Sequence, residues 1–268
     1  KISAALLLII ALARPQSTTN WEESTTEGID IILAMDISTS MLAEDLKPNR
    51  LEASKNVAID FISKRINDRV GLVIFAGESF TQCPLTTDHN VLINLFKDVK
   101  SKMVADGTAV GMGLATAVNR LKESTAKSKV IILLTDGVNN QGTIPPLTAA
   151  EIAAKFNIRV YSIGVGTEGF APYPFETAFG IRYQDVEVKI DEKTLQDIAL
   201  LTDGKYFRAT NNNSLKDIYK DIDTLEKSKI EVTEFHKRKE EFLQFAIWAL
   251  SLLFTAFILK ITYLKQIL

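Results

Sequence analysis

Cysteine is almost missing from this 268-residue chain: Cys83 stands alone, which excludes a disulfide or a cysteine-built zinc site within it. Beside Pro84 in FTQCPLT it reads as a small edge-strand hydrophobe rather than a nucleophile. Histidine is nearly as scarce. His89 lies in TTDHN and His236 in a basic run, and neither has a catalytic partner beside it. An excess of either charge is lacking too: 31 Lys+Arg oppose 33 Asp+Glu for a formal net charge of -2, so nothing calls for a nucleic-acid partner. No G-x-x-x-x-G-K-[ST] run occurs, which excludes a P-loop nucleotide site. GVGTEG at 164–169 has the spacing of a dinucleotide loop, but Pro172 and Pro174 forbid the helix that must open there.

Apolar sequence is what the chain has in quantity. A composition 46% hydrophobic and 24% charged suits one α/β domain of about 200 residues with further apolar segments. Residues 242–259, FLQFAIWALSLLFTAFIL, hold Gln244 as their one strongly polar side chain. At about 1.5 Å per residue this run approaches the roughly 30 Å hydrocarbon core, so a transmembrane helix is expected. Residues 229–241 then form a basic juxtamembrane linker and 260–268 a tail. The apolar run at 2–13 is too short to span alone. Residues 1–13 read as the remnant of a transmembrane helix, or as a signal-like segment ending in Ala11-Leu12-Ala13, and 14–28 as a polar linker. Lys227, Lys229, Lys237, Arg238 and Lys239 before the span, against Lys260 and Lys265 after it, place the domain in the cytoplasm by the positive-inside rule. The acidic flank at 14–28 and the signal-like start place it on the other side.

Between the ends, strands and helices alternate. IDIILAM (29–35), VGLVIFA (70–76), KVIILLT (129–135) and RVYSIGVG (159–166) are continuous apolar runs of the kind that parallel strands show when buried on both faces. FTQCPLT (80–86) is expected at a sheet edge, because Pro84 cannot donate to a ladder. Helices are expected over 50–65, 88–100, 109–122, 147–156 and 214–228, with another that Asp191 caps. Pro172, Pro174 and Gly180 punctuate a loop after 167, and IRYQDVEVKI alternates as an exposed β-ribbon does, so 167–190 is an insertion. Tyr206-Phe207 fits a last short strand. The pattern predicts an α/β fold: a doubly wound, mainly parallel sheet with helices on both faces.

In such folds ligands bind beyond the carboxyl ends of the strands, and that edge carries AMDISTS (34–40). Asp36, Ser38 and Ser40 place three oxygen-bearing side chains at alternate positions after a buried strand. Asp136 ends the strand IILLTDG at the same edge, and Thr108, in DGT, approaches a helix. Two carboxylates and three hydroxyls form an all-oxygen set of the kind Mg²⁺ or Mn²⁺ accepts. Neutral hydroxyls would leave such a metal electrophilic, with a position open to a carboxylate from another molecule. A metal-dependent hydrolase or phosphotransferase using the same aspartates is the alternative. It needs a general base or a phosphate-holding cation, and near the site the sequence supplies only Lys47, Arg50, Glu44 and Asp45.

D-x-S-x-S, the later Thr of DGT, and TDG after a buried strand resemble the metal-ion-dependent adhesion site of von Willebrand factor A domains. Asp36, Ser38, Ser40, Thr108 and Asp136 match all five positions in order. DRVGLVIFAGESFTQCPLTTD (68–88), ALARPQ and DGKYF are similar to the Bat aerotolerance proteins, a bacterial membrane family. The resemblance implies an A domain over 29–228 anchored in the bacterial inner membrane, facing the periplasm. It also implies a non-enzymatic role in envelope stress tolerance, with an acidic protein ligand, other Bat proteins and a MoxR-type AAA+ ATPase as partners. The family's upstream helix has no counterpart in this sequence.

Overall fold

The computed structural model describes residues 28–177, 180–231, 239–240 and 242–262, together with 6, 9, 10, 12, 13, 16 and 17. Contacts divide the chain into one unit of Thr26–Val232 and another of Lys1–Thr25 with Thr233–Leu268.

The central unit runs β1 (Asp30–Asp36), α1 (Arg50–Ser63), β2 (Arg69–Phe75), β3 (Ser79–Thr86), α2 (His89–Asp98), α3 (Val110–Leu121) and β4 (Lys129–Thr135). It continues with α4 (Pro146–Lys155), β5 (Ile158–Val165), β6 (Gly169–Thr177), β7 (Gly180–Val188), α5 (Glu192–Leu201), β8 (Tyr206–Ala209) and α6 (Asn212–Glu231). Six strands make the main sheet in the order β3-β2-β1-β4-β5-β8. All neighbours are parallel except β3, which pairs antiparallel with β2 at the edge. Pro84 sits on that edge strand and Cys83 is buried there, as their residue types require.

Every residue of β1 is buried, because both faces of the sheet are covered. Ile31, Leu33 and Met35 pack in one layer with Val57, Phe61 and Ile62 of α1, Phe96 of α2 and Ile218 of α6. Ile32 and Ala34 point the other way, into a layer with Leu114 and Val118 of α3, Ala150 of α4 and Leu195 of α5. At about 1.5–3 kcal/mol for each fully buried large apolar side chain, these two layers dominate the folding drive. Helix starts follow local chemistry: the side chains of Asn49, Asp88 and Asp191 accept from the backbone N–H of Glu52, Val91 and Thr194.

One expectation needs correction. Residues 169–177 are a strand and not a loop: β6 pairs antiparallel with β7 from Gly169–Val188 to Thr177–Gly180, so the insertion is a two-stranded hairpin outside the main sheet. Pro172 and Pro174 fit because they stand two apart. Their nitrogens share the outer side of the ribbon, where no ladder partner is needed.

In the terminal unit Gln16–Ser17 pairs antiparallel with Lys239–Glu240, and α7 spans the 21 residues Phe242–Thr262. Its Leu243, Ile247, Trp248, Leu250, Phe254 and Phe257 are each 60–72% exposed. Among the described residues no helix gives a run long and apolar enough to cross a membrane. The span expected over 242–259 falls on α7, of which some side chains, Gln244 included, lie outside the described residues. Most of the segment read at 1–13, nearly all of the linker at 14–28, most of 229–241 and the tail after 262 lie outside the described residues.

Candidate metal centre

The sheet order reverses between β1 and β4, which are adjacent yet send the chain to opposite sides. Such a switch point opens a crevice at the carboxyl ends of the two strands. Asp36 is the last residue of β1 and Asp136 follows the last residue of β4, so both carboxylates arrive at that crevice from neighbouring strands. Both are almost wholly buried, at 0% and 2% exposure.

Beyond Asp36 the chain turns into one 3-10 turn, Thr39–Leu42, which brings the two serines back over the strand end. The Ser38 backbone N–H donates to Asp36 Oδ1 at 2.9 Å. Ser38 Oγ and Ser40 Oγ lie 2.9 Å apart, and Ser40 Oγ donates to Asp136 Oδ1 at 2.7 Å. Thr108 comes from the loop before α3, and its backbone N–H donates to Asn140 Oδ1 at 2.9 Å. A Cβ on Gly137 would stand 3.2 Å from Thr108 Oγ1, so the threonine hydroxyl lies directly against the backbone after Asp136. Thr39, between the serines, ties the two loops together: its N–H and Oγ1 donate to Asp106 at 3.1 and 2.9 Å. The structure therefore brings all five expected residues to one crevice.

Three participants were not legible in the motif. Thr135 Oγ1 donates to Asp36 Oδ2 at 2.7 Å. Arg50, at the start of α1, donates to Asp136 Oδ2 at 2.7 Å through Nη1, and to both Asp45 oxygens at 2.7 Å. The Arg50 and Asp45 side chains are each 3% exposed. The sequence offered Arg50 and Asp45 only as the nearest spare charges; their five-residue separation across a turn and a helix start hides that they meet.

Fully ionised, Asp36, Asp45 and Asp136 would carry three negative charges against the single guanidinium of Arg50, two more than it can balance. Burial, then the nearby charge of Asp136, pushes the Asp36 carboxyl up to about 7. Burial raises Asp136 as well, against the lowering effect of Arg50 and Ser40, so both carboxyls of this interacting pair lie above the ordinary carboxylate range. A divalent cation is the simplest way to balance such a cluster. Among the described residues no group of three or more His, Cys, Asp or Glu side chains forms a cation cage, so the hydroxyls would have to contribute. The donor set is hard oxygen throughout, which fits Mg²⁺ or Mn²⁺.

The crevice opens into a cavity of about 530 Å³ that Ser40, Thr108 and Asp136 share with Tyr173, Phe175 and Val186 of the hairpin. The larger cavity, about 620 Å³, lies at the opposite sheet edge around Val57, Phe61, Arg65 and Tyr219. Its Arg65 pairs with Asp68 and Asp223, and it holds none of the donor set.

An α/β sheet with two carboxylates and three hydroxyls gathered at its switch point is the arrangement of an A-type domain. The sequence model of the von Willebrand factor type A domain matches residues 30–221, and the chain belongs to that family. Its likeness within the family is to Bat-type proteins. BatB from Bacteroides thetaiotaomicron superposes with a TM-score of 0.66 at 33% identity, over 75% of this chain and 100% of its own. An aerotolerance-related membrane protein from Bacteroides fragilis gives 0.64 at 30%, over 74% and 100%. An uncharacterised Borreliella burgdorferi protein is 32% identical over 267 residues, 99% of this chain and 78% of that one.

Proposed function

We propose that this protein is a membrane-anchored, non-enzymatic binding module. Asp36, Ser38, Ser40, Thr108 and Asp136 would hold Mg²⁺ or Mn²⁺, and an acidic side chain of a partner protein would complete the site. The observation that carries this reading is the buried cluster of three carboxylates and one guanidinium beside three hydroxyls. A bound dication supplies charge balance there and an electrophilic point for a carboxylate. The residues themselves do the rest. Arg50 holds Asp136 Oδ2 and leaves Oδ1 to Ser40. Thr135 and the Ser38 N–H fix both oxygens of Asp36. Asp106 keeps the two loops in register through Thr39.

The hydrolase reading gains no such support. Arg50, the basic residue best placed to hold a phosphate, is buried and engaged on two carboxylates. Lys47 is 72% exposed and lies 3.5 Å from Glu44. His89 Nε2 is 3.0 Å from the Asp68 carbonyl oxygen. Membrane anchoring rests on the apolar run at 242–259 and on the Bacteroides fragilis relative, itself described as a membrane protein. Placement of the domain in the periplasm, and engagement of other Bat proteins and a MoxR-type ATPase, follow from the family resemblance.

The test is titration of the 268-residue chain with Mn²⁺, followed by capture of membrane proteins in Mg²⁺ or EDTA. Asp36→Ala should lose metal binding while keeping the parent's circular dichroism. Equal affinity in mutant and parent, or capture indifferent to EDTA, would overturn the proposal.

A further inference from the structure

The hairpin is more than an ornament beside the donor set. β6 and β7 are held to the site's own loops: the Glu44 N–H donates to the Pro172 carbonyl at 2.8 Å, and Tyr183 Oη donates to Glu44 Oε1 at 3.0 Å. At the hairpin's base the Thr167 N–H donates to Asp45 Oδ2 at 2.8 Å, on the same carboxylate that grips Arg50. One network therefore runs from the hairpin base through Asp45 and Arg50 to Asp136.

Register decides which side chains face inward. Ala171 stands opposite Val186 and Gly169 opposite Val188, so 171, 173 and 175 share a face with 186 and 188. That face lines the cavity containing Ser40, Thr108 and Asp136. Where it lines the cavity, Ala171, Tyr173, Phe175, Val186 and Val188 make it apolar and aromatic, with the Tyr173 and Phe175 rings 4.9 Å apart edge-on. Gln184 and Arg182 continue the same face, and Glu187 and Lys189 add charge to the cavity wall. Phe175 and Val186 each keep 41% of their surface exposed, although they stand in a cavity wall. A site that received only a carboxylate would need no such wall. A cavity of about 530 Å³ is about 8 Å across, its cube root, which exceeds a carboxylate and matches two extended residues at about 3.3 Å each.

We propose that the hairpin is the specificity half of the ligand site: it receives a large aliphatic or aromatic side chain one or two residues from the partner's acidic residue, in an extended segment. This rests on the metal-dependent reading above and adds to it which acidic segments are accepted. The continuity of one cavity from the oxygen donors to the apolar face is what commits the occupant to both chemistries at once. Burying one leucine-sized side chain there should improve binding about tenfold, after losses on ordering the peptide.

The probes are three labelled peptides, GSGEGLGSG, GSGEGSGSG and GSGQGLGSG, with the 268-residue chain in Mn²⁺, read by fluorescence anisotropy. The first should bind about tenfold tighter than the second, and the third should not bind measurably. The Phe175→Ser, Val186→Ser double variant, at half-exposed positions and therefore able to fold, should bring the first two within about twofold. Its Mn²⁺ affinity should match the parent's. Equal binding of the first two peptides to a parent that holds Mn²⁺ would overturn the hairpin's role and spare the metal reading. A parent that fails to bind Mn²⁺ would remove both.

Discussion

Asp36 and Asp136 look equivalent in the motif, yet their surroundings separate them. Arg50 matches Asp136, whereas Asp36 has only neutral donors, Thr135 and the Ser38 N–H. With its folded value at about 7, raised above the ordinary 3.8, Asp36 takes up a proton on folding. The Asp36 contribution to the stability of the metal-free domain should therefore be fully present below the unfolded value and be lost as pH rises through about 7. Metal binding must displace that proton, so Mn²⁺ affinity should rise by up to about tenfold per pH unit below 7 and level off above it. Calorimetry from pH 5.5 to 8 in two buffers of different ionisation heat reads the proton directly. A flat profile would show that Asp36 is already ionised. Arg50 makes the complementary case. Arg50→Met leaves Asp45 and Asp136 buried and unmatched, and should cost about 3 kcal/mol or more in urea unfolding. Saturating Mg²⁺ should recover more stability in this variant than in the parent, because the dication then replaces a missing charge. Equal recovery in both would mean that Arg50 and the metal do not share Asp136.

Which elements form was largely written in hydrophobic pattern, since the four long buried strands and the helices packed on them each satisfy one period. The adhesion motif was legible for the same reason: its oxygens follow strands whose carboxyl ends had to meet at the switch point. What escaped was long-range and polar. A pair such as Arg50–Asp136 depends on tertiary approach and leaves no periodic trace. The first arm of the hairpin escaped because proline there signals a loop, and only pairing reveals that both prolines lie on an unpaired side. Helix α6 shows the same limit. Its amphipathic pattern was readable, but its Glu226, 1% exposed, takes hydrogen bonds from Tyr161 Oη at 2.6 Å, Ser128 Oγ at 2.7 Å and Arg159 Nε at 2.9 Å. Burial opposes ionisation there, and the Arg159, Tyr161 and Ser128 contacts outweigh it, so Glu226 lies below its ordinary value. It should stabilise the fold above the usual glutamate range, with the contribution lost as pH falls through the lowered value. Glu226→Ala should cost about 3 kcal/mol in urea unfolding at pH 7, with Mn²⁺ affinity unchanged. A change below about 0.5 kcal/mol would place this contact among ordinary surface pairs.

Chain direction sets what the central unit can do as a whole. β1 begins at Asp30, at the amino edge of the sheet, and α6 runs back from β8 to meet Ser128 and Arg159 at the starts of β4 and β5. Asp30 and Glu226 thus both lie at the sheet edge opposite Asp36 and Asp136. Among the described residues, every member of the two hydrophobic layers belongs to this unit. Expressed alone, residues 26–232 should therefore be soluble and unfold in one cooperative transition. They should bind Mn²⁺ with the affinity of the 268-residue chain, while the 268-residue chain should pellet with membranes and resist carbonate extraction. The comparison separates two roles for the run at 242–259. If the fragment aggregates or unfolds without a cooperative transition, that run is completing a core. If the fragment folds and the 268-residue chain still washes off membranes in carbonate, the run is neither core nor anchor, and the membrane reading fails while the metal site stands.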